Sequence, residues 1–337
     1  MNIYKDYMDV IKEAVNTDSS KNLNERLGYS SMKRSTEQFK NIYSKASQET
    51  VASSLKTFSN TLNTSSTTFN QQLGLHPDFS YLKGSDTTEE HYIVSAFIDI
   101  KGSTNMFKKF DKETIFLITN AIQRAGIHTA LIFGGYVHRL QGDGIFVYFG
   151  GKNITKEKAV LQSLQAVSVY TYFVKNDLKE YFNSQGIENI SIRSGIDLGY
   201  DDDVLWGNAG IGEISEVTTC SLHTSLASKM QSNAQTNGIV VGDYIKSEIK
   251  NNDECFTPVN YRTRKESDRY IYRIENRNFT YTQYDFNWTQ FLKKQPFIAT
   301  DQFGNIVPKI ENNFNAMSPK SIKPIADKNK PYFSYGE

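Results

Sequence analysis

A chain of 337 residues that is 38% hydrophobic, with 21 Phe and 20 Tyr, has the length and the aromatic stock for one large core carrying extensions. Its 38 basic and 37 acidic residues leave a net charge of +1, which excludes a strongly basic, groove-binding protein and gives no overall pull toward nucleic acid or a membrane surface. Cys220 and Cys255 stand in no metal-ligand spacing and read as free thiols of a reducing compartment. No run of about 18 apolar residues is found, and Met1–Asp6 lacks the apolar stretch of a signal peptide. The expectation is a soluble, cytoplasmic protein with neither nucleic acid nor membrane as a partner.

Residues 1–87 are polar and rich in Ser, Thr and Asn, and are expected to form a helical N-terminal extension or linker. Tyr4, Met8, Ile11 and Val15 recur at helical spacing, a second helical pattern is expected across 35–60, and the Ser/Thr-rich stretch 53–70 reads as a frayed helix or a linker. Such a prefix buries little alone, so it is expected to pack on the main domain or on a partner chain. Composition shifts at His91, and Tyr92–Ile98 reads as a buried strand. Residues 113–133 read as a helix stopped by Gly134-Gly135, and 136–140 with 145–149 as a hairpin around Gly142-Asp143-Gly144. A long helix over 155–184 precedes strands at 189–198 and 204–208, a helix at 222–235 and a strand at 238–241. A hairpin over 257–274 and a short helix near 286–293 lead into a loose tail. The order predicts an α+β fold with a mostly antiparallel sheet. The catalytic domain is assigned to 88–276 and an irregular C-terminal extension to 277–337.

Two segments carry chemistry: Phe97-Ile98-Asp99-Ile100-Lys101-Gly102-Ser103-Thr104 and Leu140-Gln141-Gly142-Asp143-Gly144-Ile145-Phe146. Each sets a carboxylate at the edge of an apolar run, where burial is costly without a neutralising partner. Taken singly, Asp143 fits an ordinary Asp-Gly hairpin turn and Asp99 a strand-end cap. Taken together, with a glycine-containing turn whose backbone N–H groups suit a phosphate chain, they point to divalent metal and a nucleotide.

The first segment resembles the first metal motif of the class III nucleotidyl cyclases, and Arg139-Leu140-Gln141-Gly142-Asp143-Gly144 resembles their second. Trp206-Gly207-Asn208-Ala209-Gly210 resembles the family's Gly-Asn-x-Gly turn, and Thr218–Gln231 occupies the stretch before and along its catalytic helix. Order and spacing match over about 90–275. The resemblance implies a ferredoxin-like sheet flanked by helices and a homodimer with sites shared between two chains. It implies two divalent metals per site, Mn²⁺ or Mg²⁺, held by Asp99 and Asp143 with the Ile100 carbonyl. Gly102, Ser103 and Thr104 would contact phosphate, and Ser225 and Lys229 would serve the ribose and the transition state.

Three departures from the family pattern bear on the substrate. Arg139 stands where an ATP-using member has Lys, while Thr218 at its partner position, usually Asp or Thr, keeps to the pattern. Ser225 and Lys229 replace Asn and Arg, one helical turn apart on one face; the lysine keeps the charge but not the planar fork. A smaller pocket with an arginine favours a pyrimidine. Tyr92 either walls that pocket or packs in the core. This resembles the pyrimidine cyclases of the Pycsar anti-phage system, implying CTP, by a weak lean, or UTP as substrate, and a separate effector activated by the cyclic nucleotide. An adenylate or guanylate cyclase with an altered pocket, or a non-catalytic nucleotide sensor, are the other readings. Asp201-Asp202-Asp203 reads as a solvated hairpin tip, and Arg262, Arg264 and Lys265 as either an exposed basic hairpin or a triphosphate contact. His128, His138 and His223 share no metal spacing and are given no role.

Overall fold

Alternation along Ile93–Lys101 divides one sheet into two apolar faces: Val94, Ala96, Ile98 and Ile100 join one core, and Ile93 and Phe97 a second. The computed structural model describes residues 2–26, 37, 40–44, 53–62, 71–188 and 190–309. Its strands are β1 (Glu89–Glu90), β2 (Ile93–Lys101), β3 (Gly135–Gln141), β4 (Gly144–Phe149), β5 (Ser191–Gly199), β6 (Val204–Ile211) and β7 (Ile214–Ser221). They continue with β8 (Gly238–Gly242), β9 (Phe256–Pro258), β10 (Tyr270–Ile274), β11 (Phe279–Phe286), β12 (Ile298–Thr300) and β13 (Ile306–Pro308). The central sheet runs β10-β11-β8-β5-β2-β4-β3, with β9 also paired to β11. Among the described pairs only β5 with β8 is parallel, so the mostly antiparallel α+β expectation holds.

One face of the sheet carries the helices α1 (Lys5–Arg26), α2 (Ser53–Thr61), α3 (Lys112–Ile132) and α4 (Lys156–Tyr172). Asp111 caps α3 by accepting from the Thr114 N–H at 2.7 Å, and Thr155 caps α4 by accepting from Lys158 at 3.3 Å. A π-helical stretch at Phe173–Leu178 carries α4 on into α5 (Lys179–Ser184), matching the single long helix expected there. α3 has the length and apolar composition to cross a bilayer, but 67% of that stretch is buried within the fold, as a core helix is.

The other face holds α6 (Leu222–Asn233) and a separate ribbon of β1, β6 and β7. α6 lies so close to β5 that a Cβ on Gly195 would fall 2.1 Å from the Ala227 carbonyl oxygen. Only glycine at that point lets helix and strand backbones approach. The short helices α7 (Asp243–Glu248) and α8 (Trp288–Lys293) follow, with a single helical turn at Asn260–Thr263 between them.

Two expected boundaries shift, whereas the prefix packs on the main domain, one of the two expected options: Ile3, Tyr4, Tyr7 and Ile11 of the first turns, with Leu55 and Phe58 of α2, are buried in the same core as α3 and α4. The hairpin assigned to 257–274 lies instead at β10–β11, because β9 pairs with β11. The catalytic sheet therefore runs past 276, and Trp288, Phe291 and Leu292 of α8 are buried in its core. Much of the helical pattern at 35–52, the Ser/Thr stretch 63–70 and the tail beyond 309 lie outside the described residues.

Candidate active site

Asp99 and Asp143 come together because β2 and β4 are antiparallel neighbours, with Ile98 opposite Ile145. A Cβ on Gly144 would lie 2.9 Å from the Ile98 carbonyl oxygen and 3.5 Å from the Asp99 Cα. Oδ2 of Asp99 accepts from Arg193 Nη2 at 2.9 Å and from Gln231 Nε2 at 3.3 Å. Oδ2 of Asp143 accepts from Ser103 Oγ at 2.6 Å. No donor among the described residues reaches the Oδ1 atom of either, so each carboxylate is oriented through one oxygen and keeps the other free. Two such oxygens suit a hard divalent cation of the Mg²⁺ or Mn²⁺ kind, which takes one or two carboxylates and fills its remaining positions with phosphate and water. No third His, Cys, Asp or Glu joins them into an all-protein cage among the described residues. Gly102 takes φ +99° and opens a 3₁₀ turn, Ser103–Lys108. Ser103 spends its hydroxyl on Asp143, Thr104 is exposed, and Ile100 has its side chain in the core at the end of β2.

The expected base-reading residue, Arg139, is on β3 at a β-bulge between Val137 and Arg139. The bulge turns two consecutive side chains, His138 and Arg139, to the same face. The Arg139 guanidinium grips Glu216 of β7 through both Nε, 2.6 Å from Oε2, and Nη2. Thr218, the expected partner, instead shares a 3.2 Å hydrogen bond with His138 Nε2, which also lies 3.9 Å from Glu216 Oε2. His138 is fully buried, and burial, then Arg139 and His76, hold its pKa down at about 3, so it is neutral here. His138, given no role from the sequence, holds Thr218 from the core side.

Thr218 and Ser225 line one cleft of about 680 Å³, together with Leu205, Asn208, Cys220 and Thr224. Asn208 Oδ1 is buried there without a protein partner. The Trp206–Gly210 segment is not itself a turn but part of β6, and Trp206 is stacked on Phe79 with centroids 4.0 Å apart. Ser225 and Lys229 are both exposed on α6, and Lys229 has no partner among the described residues. Gln231, which touches Asp99, is about 200° around the helix from Lys229 at about 100° per residue. Within one chain, therefore, the carboxylates and Lys229 face different sides of α6.

Tyr92 requires a correction. Its side chain enters the helix-side core at 4% exposure, and its hydroxyl donates to the Ile154 carbonyl. Burial pushes the phenol up to about 12. It packs in the core, on the face opposite Asp99 and Arg139. Arg262 is tied to Asp285 at 2.8 and 3.0 Å, whereas Arg264 and Lys265 are exposed. Asp201 accepts from the Tyr92 N–H and pairs with Lys156 at 2.7 Å, a structural use of the acidic turn. Arg193, Glu216 and Gln231 were missed by sequence reasoning. Arg193 alone carried a signal, as the one basic residue in the strand Ser191–Gly199.

The sheet with its helical flanks is a mostly antiparallel α+β fold. No family model matches the chain. In sequence it is 34% identical to a protein of Staphylococcus aureus named cytidylate cyclase, over 80% of this chain and 62% of that protein. It is 32% identical to an Escherichia coli cytidylate cyclase over 67% of this chain and 50% of that one. The chain thus spans between half and two thirds of the length of these relatives. Solved structures similar to it include the adenylyl cyclase CyaB from P. aeruginosa (22% identity, TM-score 0.47, covering 59% of this chain and 95% of that one). Another is the guanylyl cyclase Cya2 (14% identity, TM-score 0.45, 59% and 92%). The resemblance to class III nucleotidyl cyclases, and within them to cytidylate cyclases, stands on these relatives in sequence.

Proposed function

We propose that the chain is a cytidylate cyclase, converting CTP to 3′,5′-cyclic CMP and pyrophosphate at sites shared between two head-to-tail copies. The observation that carries the choice of base is the Arg139–Glu216 pair beside Thr218. Cytosine presents in order an N4–H donor and the N3 and O2 acceptors. Glu216 offers an acceptor, and Arg139, with Nε and one side of Nη2 spent on Glu216, still has Nη1 and Nη2 hydrogens to donate. Uracil would turn its O4 lone pairs toward the carboxylate and its N3–H toward the guanidinium. The relatives named cytidylate cyclase support the same base.

In the reaction the ribose 3′-oxygen attacks the α-phosphorus in line, its proton passes to solvent water, and the bond to the bridging oxygen of pyrophosphate breaks. Asp99 and Asp143, with the Ile100 carbonyl, would hold two Mg²⁺ or Mn²⁺ ions, which lower the pKa of the attacking hydroxyl and neutralise the triphosphate. Arg193, fixed beside Asp99, adds a guanidinium for phosphate oxygens, and Gly102, Ser103 and Thr104 offer backbone N–H groups. Ser225 of the partner copy orients the ribose, and its free Lys229 ammonium meets the charge building at phosphorus. That Lys229 and Asp99 face different sides of α6 supports a site completed by a second chain. The product would act in the cytoplasm as a second messenger on a separate cyclic-nucleotide-activated effector, in bacterial anti-phage defence.

The test is purified protein with Mn²⁺ or Mg²⁺ and each of the four NTPs, products being separated by chromatography. Cyclic CMP is the expected main product. Cyclic AMP or GMP would overturn the pyrimidine reading, and cyclic UMP the Glu216 argument. Tight NTP binding without pyrophosphate release would make the chain a sensor.

A further inference from the structure

α6 starts on a buried His–Asp hydrogen bond that lines neither the cleft nor the carboxylates. His223, its second residue, is 2% exposed and sets Nδ1 2.9 Å from Oδ2 of Asp197, a fully buried carboxylate on β5. Its Nε2 lies 3.7 Å from Asp203 Oδ2. The other oxygen of Asp197 accepts from the Tyr281 hydroxyl at 2.8 Å, and that hydroxyl accepts from the Tyr244 N–H at 3.0 Å. The imidazole is stacked on Tyr244, ring centroids 4.6 Å apart, and meets Tyr281 edge-on at 4.9 Å. The next residue, Thr224, shares a 2.9 Å hydrogen bond with Ser95 of β2. Consecutive side chains thus bolt the first turn of α6 to two strands. Ser225 and Lys229 follow two and six residues after His223; the Ser225 hydroxyl donates to the carbonyl of Ser221, the last residue of β7, at 3.2 Å, and Lys229 has no partner among the described residues. A polar network buried this deeply specifies one arrangement of helix and strand when its groups are hydrogen-bonded.

We infer that His223 and Asp197 are positioning residues for cyclisation, fixing the rotation of α6 so that Ser225 and Lys229 meet the partner copy's carboxylates. This rests on the reading of Ser225 and Lys229 given above. The first readout is the split between kcat and KM for CTP. His223→Ala is expected to lower kcat about thirtyfold with KM changed less than about threefold, the pattern of an interaction made only in the transition state. His223→Asn, whose amide can donate to Asp197 in place of Nδ1, is expected to recover most of the loss and keeps the test open if the alanine variant fails to fold.

The second readout is complementation between mixed protomers. Asp99→Ala mixed with Lys229→Ala should give about a quarter of wild-type activity, since half the dimers are hybrids with one intact site of two. His223→Ala should be rescued in the same way by Asp99→Ala, and should stay at its residual level with Lys229→Ala, because both defects then lie on α6. A general folding defect would not sort between the two partners. Rescue of His223→Ala by Lys229→Ala, or no rescue by Asp99→Ala while the control pair recovers, overturns the positioning role. A control pair that stays dead despite subunit exchange overturns the shared site, and with it this inference.

Discussion

Glu216 is 77 positions from Arg139 in sequence, yet it determines what that guanidinium can still donate. Replacing it by glutamine keeps the shape of the side chain but substitutes an amide, which can donate or accept. The expected outcome of Glu216→Gln is a fall of about tenfold or more in the ratio of kcat/KM for CTP over UTP, equal to about 1.4 kcal/mol of lost discrimination. The two substrates measured in competition check it, and an unchanged ratio would sink the cytosine argument. Arg139 and Thr218 were singled out by the resemblance of their motifs. Glu216 was not, because an acidic residue in a half-exposed strand is unremarkable until a bulge on β3 turns Arg139 toward it. Tyr92 shows the opposite failure: strand alternation alone sets it on the face away from Asp99, seven positions being an odd number.

At the scale of elements, α6 depends on one missing methyl group. Gly195→Ala would drive a Cβ into the Ala227 carbonyl and, at 2.2 Å, the Gln231 backbone nitrogen, both rigid helix atoms. Its expected effect is a loss of about 3 kcal/mol in stability with activity lost alongside; urea unfolding of the variant, which should show a lower midpoint at unchanged slope, provides the check. An unshifted midpoint would mean that α6 sits higher on the sheet than described. Elements with strong periodicity were readable, such as α3, expected at 113–133 and found at Lys112–Ile132. β7 was missed because Ile214–Ser221 holds few apolar residues and is stabilised by its partner β6 rather than by burial. β11 was missed for a related reason: pairing across the sheet, not local pattern, decides that it joins β8 and β9.

Over the whole molecule, three buried histidines join the periphery to the centre. His128 of α3 lies 2.5 Å from the Tyr7 hydroxyl of α1, His76 packs edge-on against Tyr136, and His138 braces Thr218. Burial holds His76 and His128 at about 4 and His138 at about 3, against an ordinary value near 6.5. Each is lowered, so between its folded value and about 6.5 the unfolded chain binds a proton that the folded chain does not. Stability therefore rises with pH through that window and falls as pH drops from about 6.5 toward 4. With three groups titrating together the slope near pH 5 is about 4 kcal/mol per pH unit, about 1.4 for each. The expected result is a melting temperature that falls steeply from pH 7 to pH 5, with His138→Asn removing about a third of the slope. A flat profile would mean that these imidazoles reach water in solution. Because His128 ties down the prefix and His138 holds Thr218, acid should loosen α1 and the cleft lined by Thr218 in one transition, and coincident loss of tertiary and helix signal would show that the prefix and the central sheet unfold as one unit.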